Sequence, residues 1–424
     1  MGIKDLTDLV NEVEEEIQPL YREADKKAGI NHSRVLKAFR NLKVSDFHLR
    51  GTTGYGYGDQ GRDTLEKLYA MIFGSEDALV RGQIISGTHA IAICLFGVLR
   101  PGDELLSVQG PLYDTLQEII GVKGGAEGSL KDLGVVYRQA ELGGDGELDW
   151  DSITKAVNPR TKMLLIQRSS GYSNHRSLRI EDLKKLILFV KRLRPGIITC
   201  VDNCYGEFVE EIEPPAAGAD LTAGSLIKNP GGGLAPSGGY IAGRKDLVEV
   251  AAGRWSAPGI GKEVGPSPDF QRLLYQGLYL APHTVAESLK GAIFTARFFE
   301  RLGFDVSPAY DEPRTDIVQR IFLGAPERVQ AFCIGIQEAS PVDSYVRPEP
   351  SNLPGYQDKV IMAAGTFIQG ASSELSADAP LREPYIVYMQ GGLSKEYVKI
   401  AVLNAARKVL NVKQDARKSG KVKL

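Results

Sequence analysis

Several things are scarce in this chain, and each scarcity excludes something. Cysteine is one: Cys94, Cys200, Cys204 and Cys333 are the four in 424 residues, and their spacing shows no paired metal-ligand pattern. Neither a disulfide framework nor a metal site is expected, and the thiols read as buried and reduced. An excess of either charge is missing too. Lys and Arg number 51 against 53 Asp and Glu, a formal net charge of −2. That balance argues against a protein whose main work is gripping nucleic acid or an anionic membrane. Long apolar runs are absent. The longest clear one, Ile91 to Leu99, is far short of the ~20 residues that span a bilayer. The opening segment, MGIKDLTDLVNEVEEE, is acidic and has no apolar stretch of the signal-peptide kind. The expectation is a cytoplasmic protein with no nucleic-acid and no membrane partner. No GxxxxGK[ST] phosphate loop occurs either.

What the chain does have is glycine: 47 residues, about 11% against a usual ~7%. With 43% hydrophobic and 25% charged residues, it can fill a core. Residues 4–45 read as helical, with Leu6, Leu9, Val10, Val13 and Ile17 on one apolar stripe. This predicts an N-terminal arm, residues 1–50, that packs on something else. A Gly- and Tyr-rich loop, Gly51 to Gly61, follows. From Asp63 to Gly243 helical patterns (62–73, 88–99, 113–121, 180–194) alternate with strand-like runs: 104–108, 135–138, 163–169, 197–203, 221–226 and 239–242. Alternation of this kind predicts an α/β domain over 51–270, built on a mostly parallel sheet. A long helix over 269–301 leads into a smaller α+β C-terminal domain, so that 271–424 forms the last division. Its elements are strands at 317–322, 360–364 and 386–389 and helices at 326–338 and 394–410. The basic tail KQDARKSGKVKL reads as a solvated terminus.

Gly56-Tyr57-Gly58-Asp59-Gln60-Gly61 matches GxGxxG, but no strand signal precedes it, so a dinucleotide fingerprint is not expected there. Three other pieces carry more. Ser86-Gly87-Thr88-His89-Ala90 is a turn of small residues opening a helix after the apolar run 83–85, and such an N-terminus suits one phosphate. Asp202, in Val201-Asp202-Asn203-Cys204-Tyr205-Gly206-Glu207, closes an apolar strand at the edge where open α/β sheets bind ligands. A carboxylate there can hold the proton on a ring nitrogen. Lys228, in Ser225-Leu226-Ile227-Lys228-Asn229-Pro230-Gly231, follows another apolar strand. A buried ammonium is costly, whereas an amine committed to a Schiff base avoids that cost and gains reactivity. A phosphate cup, an acid for a pyridinium and a lysine for an aldehyde together suit pyridoxal 5′-phosphate (PLP).

On these residues, and on FIQGASSELSADAPLREPY later in the chain, the sequence resembles the PLP-dependent Cys/Met metabolism family of cystathionine and methionine γ-lyases. The likeness is strongest to the methionine γ-lyase-like branch often labelled aluminium-resistance proteins. The resemblance implies fold-type I, PLP as cofactor, a small amino-acid substrate, and self-association as a homodimer or homotetramer. It implies Lys228 as the cofactor-bearing lysine that also moves the substrate's proton, Asp202 as the pyridinium partner, and Tyr113 as the aromatic stacked on the ring. Ser86, Gly87, Thr88 and Ser225 would hold the phosphate. Tyr55 or Tyr57, with Arg62, fall near the family segment that reaches a neighbouring subunit's phosphate. Arg382 matches the arginine that grips the substrate carboxylate, with Arg168 a second candidate. Two departures are visible: Ile227 stands where the wider family often has threonine, and Asp114-Thr115 follow Tyr113 where methionine γ-lyases carry glycine and cysteine. The activity implied is carbon–sulfur elimination giving a keto acid, ammonia and a thiol; the alternative is an aminotransferase or a replacement synthase on the same fold.

Overall fold

The apolar runs in the middle of the chain are continuous rather than alternating, as strands buried on both faces require. In Met163-Leu164-Leu165-Ile166 successive side chains go to opposite sides. Met163 and Leu165 join Leu105, Cys200, Leu221 and Ile241 in one core layer, while Leu164 and Ile166 join Leu106 and Val201 in the other. The fold is seen in a computed structural model, which describes residues 3–124, 127–144, 146–172, 176–267, 269–353 and 358–419. The basic tail beyond Ser419 lies outside the described residues. By its contacts the chain divides into two compact units, Ile30–Pro282 and Met1–Gly29 with His283–Leu424.

The first unit is built on seven strands: β1 (Asp77–Arg81), β2 (Glu104–Ser107), β3 (Val136–Gln139), β4 (Thr161–Gln167), β5 (Ile198–Asp202), β6 (Leu221–Ser225) and β7 (Gly239–Gly243). Their order is β1-β7-β6-β5-β4-β2-β3. From β6 to β3 every pairing is parallel; β7 runs antiparallel to both β6 and β1. The helices are the rest of α1 (Ile3–Asn41), α2 (Gln60–Phe73), α3 (Gly87–Val98), α4 (Asp114–Ile120), α5 (Trp150–Ala156), α6 (Ile180–Leu193), α7 (Lys245–Trp255) and the start of α8 (Gln271–Arg301). Apolar residues of α3, α4 and α7 cover one sheet face; those of α5 and α6 cover the other. The strand before the SGTHA turn is Asp77–Arg81. The run 83–85 that the sequence suggested is instead part of the turn, and Ile85 is exposed. β1 was missed because its five residues end in charges, Asp77 and Arg81.

The second unit holds an antiparallel sheet, β8 (Asp305–Ser307), β9 (Val318–Phe322), β10 (Val360–Ala363), β11 (Ser376–Pro380) and β12 (Ile386–Gln390), ordered β10-β11-β12-β9-β8. Helices α9 (Pro326–Glu338) and α10 (Lys395–Ser419) accompany it. The N-terminal stripe has its partner here: Leu6, Leu9, Val13, Ile17 and Tyr21 are buried in one cluster with Phe294, Phe298, Phe332 and Val402. Among the described residues no helix is long and apolar enough to cross a membrane. All four cysteines are buried and free.

Candidate active site

The carboxyl ends of the parallel strands bring the three motif pieces to one edge of the large sheet. Asp202 is the last residue of β5 and sits opposite Gln167 of β4. Ser225 ends β6, opposite Gly239. Between them comes the start of α3, whose cap is Ser86: its Oγ accepts from the His89 N–H at 3.0 Å. That leaves the Gly87 and Thr88 N–H groups, which as first-turn donors have no intrahelical acceptor. Gly87 is glycine for a reason of space. A Cβ there would stand 2.8 Å from Cys204 Sγ and 3.5 Å from Ser225 Cβ. The helix N-terminus, with its partial positive charge, is thus pressed against the ends of β5 and β6.

Lys228 lies three residues past β6 and is half-buried, as is Asp202. Its Nζ stands 3.9 Å from the centroid of the Tyr205 ring. Burial by itself would lower the Lys228 ammonium, but Cys204, Tyr205 and Asp202 around it carry it above the ordinary lysine range. Burial pushes the Asp202 carboxyl up; Lys228 and the Cys204 N–H, which donates to Oδ1 at 3.1 Å, oppose that. The glycines after Lys228 answer to packing. Gly232 has φ +55°, and a Cβ on it would lie 2.3 Å from the Gly277 carbonyl of α8. The run lets this loop meet a helix backbone.

Tyr113 caps α4 and is half-buried. Its N–H donates to Gln167 Oε1 at 2.8 Å, and the Gln167 side chain also hydrogen-bonds Asp202. One amide therefore ties the stacking candidate to the acid. Gly171 approaches the Tyr113 ring closely enough that a Cβ would lie 3.3 Å from it. Arg168 is placed differently from the sequence expectation. Its side chain is fully buried, and it donates to Asn203 Oδ1 (2.8 Å), the Gly206 carbonyl (2.8 Å) and Glu210 (2.7 Å). A guanidinium spent on the loop after Asp202 holds that loop and has no face left for a substrate carboxylate.

Arg62 is likewise buried. It donates to the carbonyls of Gly56 and Gly265, both at 2.9 Å, and to Asp63. Tyr55 and Tyr57 on the same loop are 72% exposed, with ring centroids 5.5 Å apart. Arg382, in the other unit, follows β11 and pairs with Asp358 at 3.1 Å, both side chains well exposed.

A family model described as methionine gamma-lyase matches residues 6–410. The chain belongs to the methionine gamma-lyase family. It is 55% identical over 395 residues to the protein YnbB of Bacillus subtilis, covering 93% of this chain and 94% of that one. A solved carbon-sulfur lyase involved in aluminum resistance from Clostridium novyi superposes with a TM-score of 0.91 at 47% identity, covering 95% of each chain. A Listeria innocua structure, named a candidate cystathionine beta-lyase involved in aluminum resistance, gives 0.93 at 52%, over 95% of this chain and 99% of that one. The PLP-dependent YhfS of Escherichia coli, at 16% identity and a TM-score of 0.60 over 92% of this chain and 97% of that one, shares the fold.

Membership in the methionine gamma-lyase family supports PLP as the cofactor and carbon–sulfur lyase as the class of activity. The residues present fit that cofactor. A half-open lysine, a carboxylate at a strand end and a side-chain-free cradle at a helix N-terminus lie on one sheet edge. Three further members of this site, Gln167, Cys204 and Tyr205, carried no assigned role in the sequence. Gln167 had a signal in being the polar end of an apolar strand; the other two stood inside a quoted motif.

Proposed function

We propose that this chain eliminates a thiol from a small sulfur amino acid, breaking a Cβ–S or Cγ–S bond to leave a keto acid, ammonia and a thiol. The observation that carries the reading is the half-buried Lys228 ammonium, held above its ordinary range beside Asp202 at the strand edge that faces the N-terminus of α3. Bound there, PLP supplies an electron sink for the pair left when the substrate loses its Cα proton. Lys228 would hold the cofactor's aldehyde carbon and, once freed by the substrate amine, take the Cα proton on Nζ and deliver it to the departing sulfur. Asp202 would accept a hydrogen bond from the ring nitrogen, where a second positive charge relieves its burial as Lys228 does. Gly87 and Thr88 N–H groups with Ser86 and Ser225 would hold the phosphate. Tyr113 would lie against the ring.

The chain would act as a homodimer or homotetramer. Tyr55 or Tyr57, both exposed, would reach a neighbouring copy's phosphate; Arg62, of the same segment, is held by the Gly56 and Gly265 carbonyls. Arg382 is the candidate for the substrate carboxylate, which would replace Asp358 as its partner. A panel of sulfur amino acids, scored for ammonia and for pyruvate against 2-oxobutyrate by mass, tests the reaction. Keto acid and ammonia are expected in equal amounts. Amino-group transfer to an added keto acid without ammonia would replace this reading with the aminotransferase one. Lys228→Ala is expected to lose both turnover and the cofactor's visible band.

A further inference from the structure

Two of the residues with positive φ outside glycine, Tyr205 (+74°) and Phe208 (+61°), fall in the short loop that follows Asp202. An aromatic residue rarely enters the left-handed region, and where it does the surroundings must hold it there. For Tyr205 they do so from two sides. Asn229, the residue after Lys228, donates through Nδ2 to the Tyr205 carbonyl at 2.9 Å and to the Glu207 carbonyl at 3.0 Å. On the other side the Gly206 N–H donates to the Asn203 carbonyl at 2.9 Å, and buried Arg168 holds both the Gly206 carbonyl and the Asn203 side chain at 2.8 Å. The outcome of this bracing is that Tyr205 meets Lys228 in two ways: Nζ stands 3.9 Å from the ring centroid, and the Tyr205 side chain also hydrogen-bonds the lysine. The lysine and the ring are positioned by the same residue, Asn229, so neither can drift without the other.

We propose that Tyr205 is a catalytic residue of this site, whose ring face stabilises the Lys228 amine in its protonated form and so makes that amine a stronger base toward the substrate's Cα proton. The ring's negative face attracts a cation and has no such preference for a neutral amine. The inference rests on the reading of Lys228 as the cofactor-bearing, proton-moving lysine. The other titratable groups facing Lys228 are Asp202, at the end of β5, and Cys204 and Glu207 on the loop after it. All are unchanged in the variants below.

The test is a pH titration of the visible absorbance of the full-length, PLP-loaded protein, in which the midpoint reports protonation at the Lys228 nitrogen. Tyr205→Phe keeps the ring face and loses the hydrogen bond to Lys228, so it should titrate between the native protein and Tyr205→Leu, which should titrate about one unit below the native protein, a change of ~1.4 kcal/mol. Replacing Tyr205 by a ring-fluorinated phenylalanine keeps the shape while draining the face, so it covers the case in which Tyr205→Leu fails to fold; its midpoint should fall below that of Tyr205→Phe. A residue that only fills space would lower the melting temperature and leave all midpoints together, and coincident midpoints overturn the inference. Lys228→Ala separates the two claims. If it abolishes the band while the Tyr205 series titrates alike, only the role of Tyr205 is lost. If the band survives in Lys228→Ala, the reading of Lys228 itself fails.

Discussion

The glycine-rich loop near the start of the larger unit and the loops that follow β5 and β6 differ in what they do with their charges. The loop Gly51–Gly61 with Arg62 closes its charges inward. The Asp59 carboxylate accepts from the Arg62 N–H at 2.8 Å, from the Thr52 and Ser267 hydroxyls, and from the Ser267 N–H at 3.1 Å, and Arg62 is spent on backbone carbonyls. What that loop offers outward is tyrosine. The loops after β5 and β6 do the reverse: Asp202 and Lys228 stay half-open, and only the groups behind them, Arg168, Asn203, Glu207 and Glu213, are sealed. The difference teaches that a charged side chain at a turn is open to chemistry when part of it stays accessible, as with Asp202 and Lys228, and structural when the loop encloses it, as with Asp59 and Arg62.

The largest expected effect comes from opening a sealed charge. Arg168→Ala removes the partner of Asn203, Glu210 and the Gly206 carbonyl and should cost ~3–5 kcal/mol. Denaturant unfolding checks this, and a smaller loss than that of Lys228→Ala would break the comparison.

Asp59→Asn comes next. Hydrogen bonds hold the Asp59 carboxyl below its usual range although burial, the largest influence, opposes them. A lowered folded value means stability that is present above the unfolded value, ~3.9, and lost as pH falls through the folded one. The variant should therefore be ~1–3 kcal/mol less stable at neutral pH, with the gap to the native protein narrowing in acid. A gap that does not change with pH would show that the charge is not what matters.

Glu207 sharpens the comparison from the opposite side. Burial raises its carboxyl to about 8, and it accepts from the Tyr240 hydroxyl at 2.8 Å. A raised folded value means stability that is complete below the unfolded value and declines as pH rises toward 8. Glu207→Gln keeps an acceptor without the proton uptake. Its melting temperature should match the native protein near pH 4.5 and exceed it at pH 7–8, the native slope being at most ~1.4 kcal/mol per pH unit. Parallel melting curves across pH would mean that Glu207 does not take up a proton on folding.

The smallest effect on folding belongs to the outward-facing tyrosines. Tyr55→Ser and Tyr57→Ser should change stability by no more than ~0.5 kcal/mol, yet weaken self-association and PLP retention together. Sedimentation and cofactor release measure these, and an unchanged assembly that keeps its cofactor would remove the tyrosines from the shared site.

Much of the architecture is legible because burial on both faces writes continuous apolar runs, and six of the seven strands of the large sheet are legible as strand-like runs. β1 escaped because charges bound it, and β11 (Ser-Ala-Asp-Ala-Pro) because small and polar residues carry no strand signal. Lys228 and Asp202 could be read from position alone, since each follows or ends an apolar strand, and Gly87 from the small residues that open α3. Arg168 and Arg62 could not be judged that way: an arginine letter does not reveal which carbonyls will consume it. Tyr205 lay in plain view beside Asp202, but a left-handed backbone and a ring turned toward a lysine 23 residues on are long-range outcomes.

Taken alone, the order of residues determined which reactive groups exist and at which strand ends they arise, because periodicity and turn chemistry are local properties. Only the tertiary structure decided which of those groups stay open to a ligand and which are locked away. Burial and hydrogen bonding depend on neighbours distant in the chain, and those neighbours are assembled only when the sheet closes.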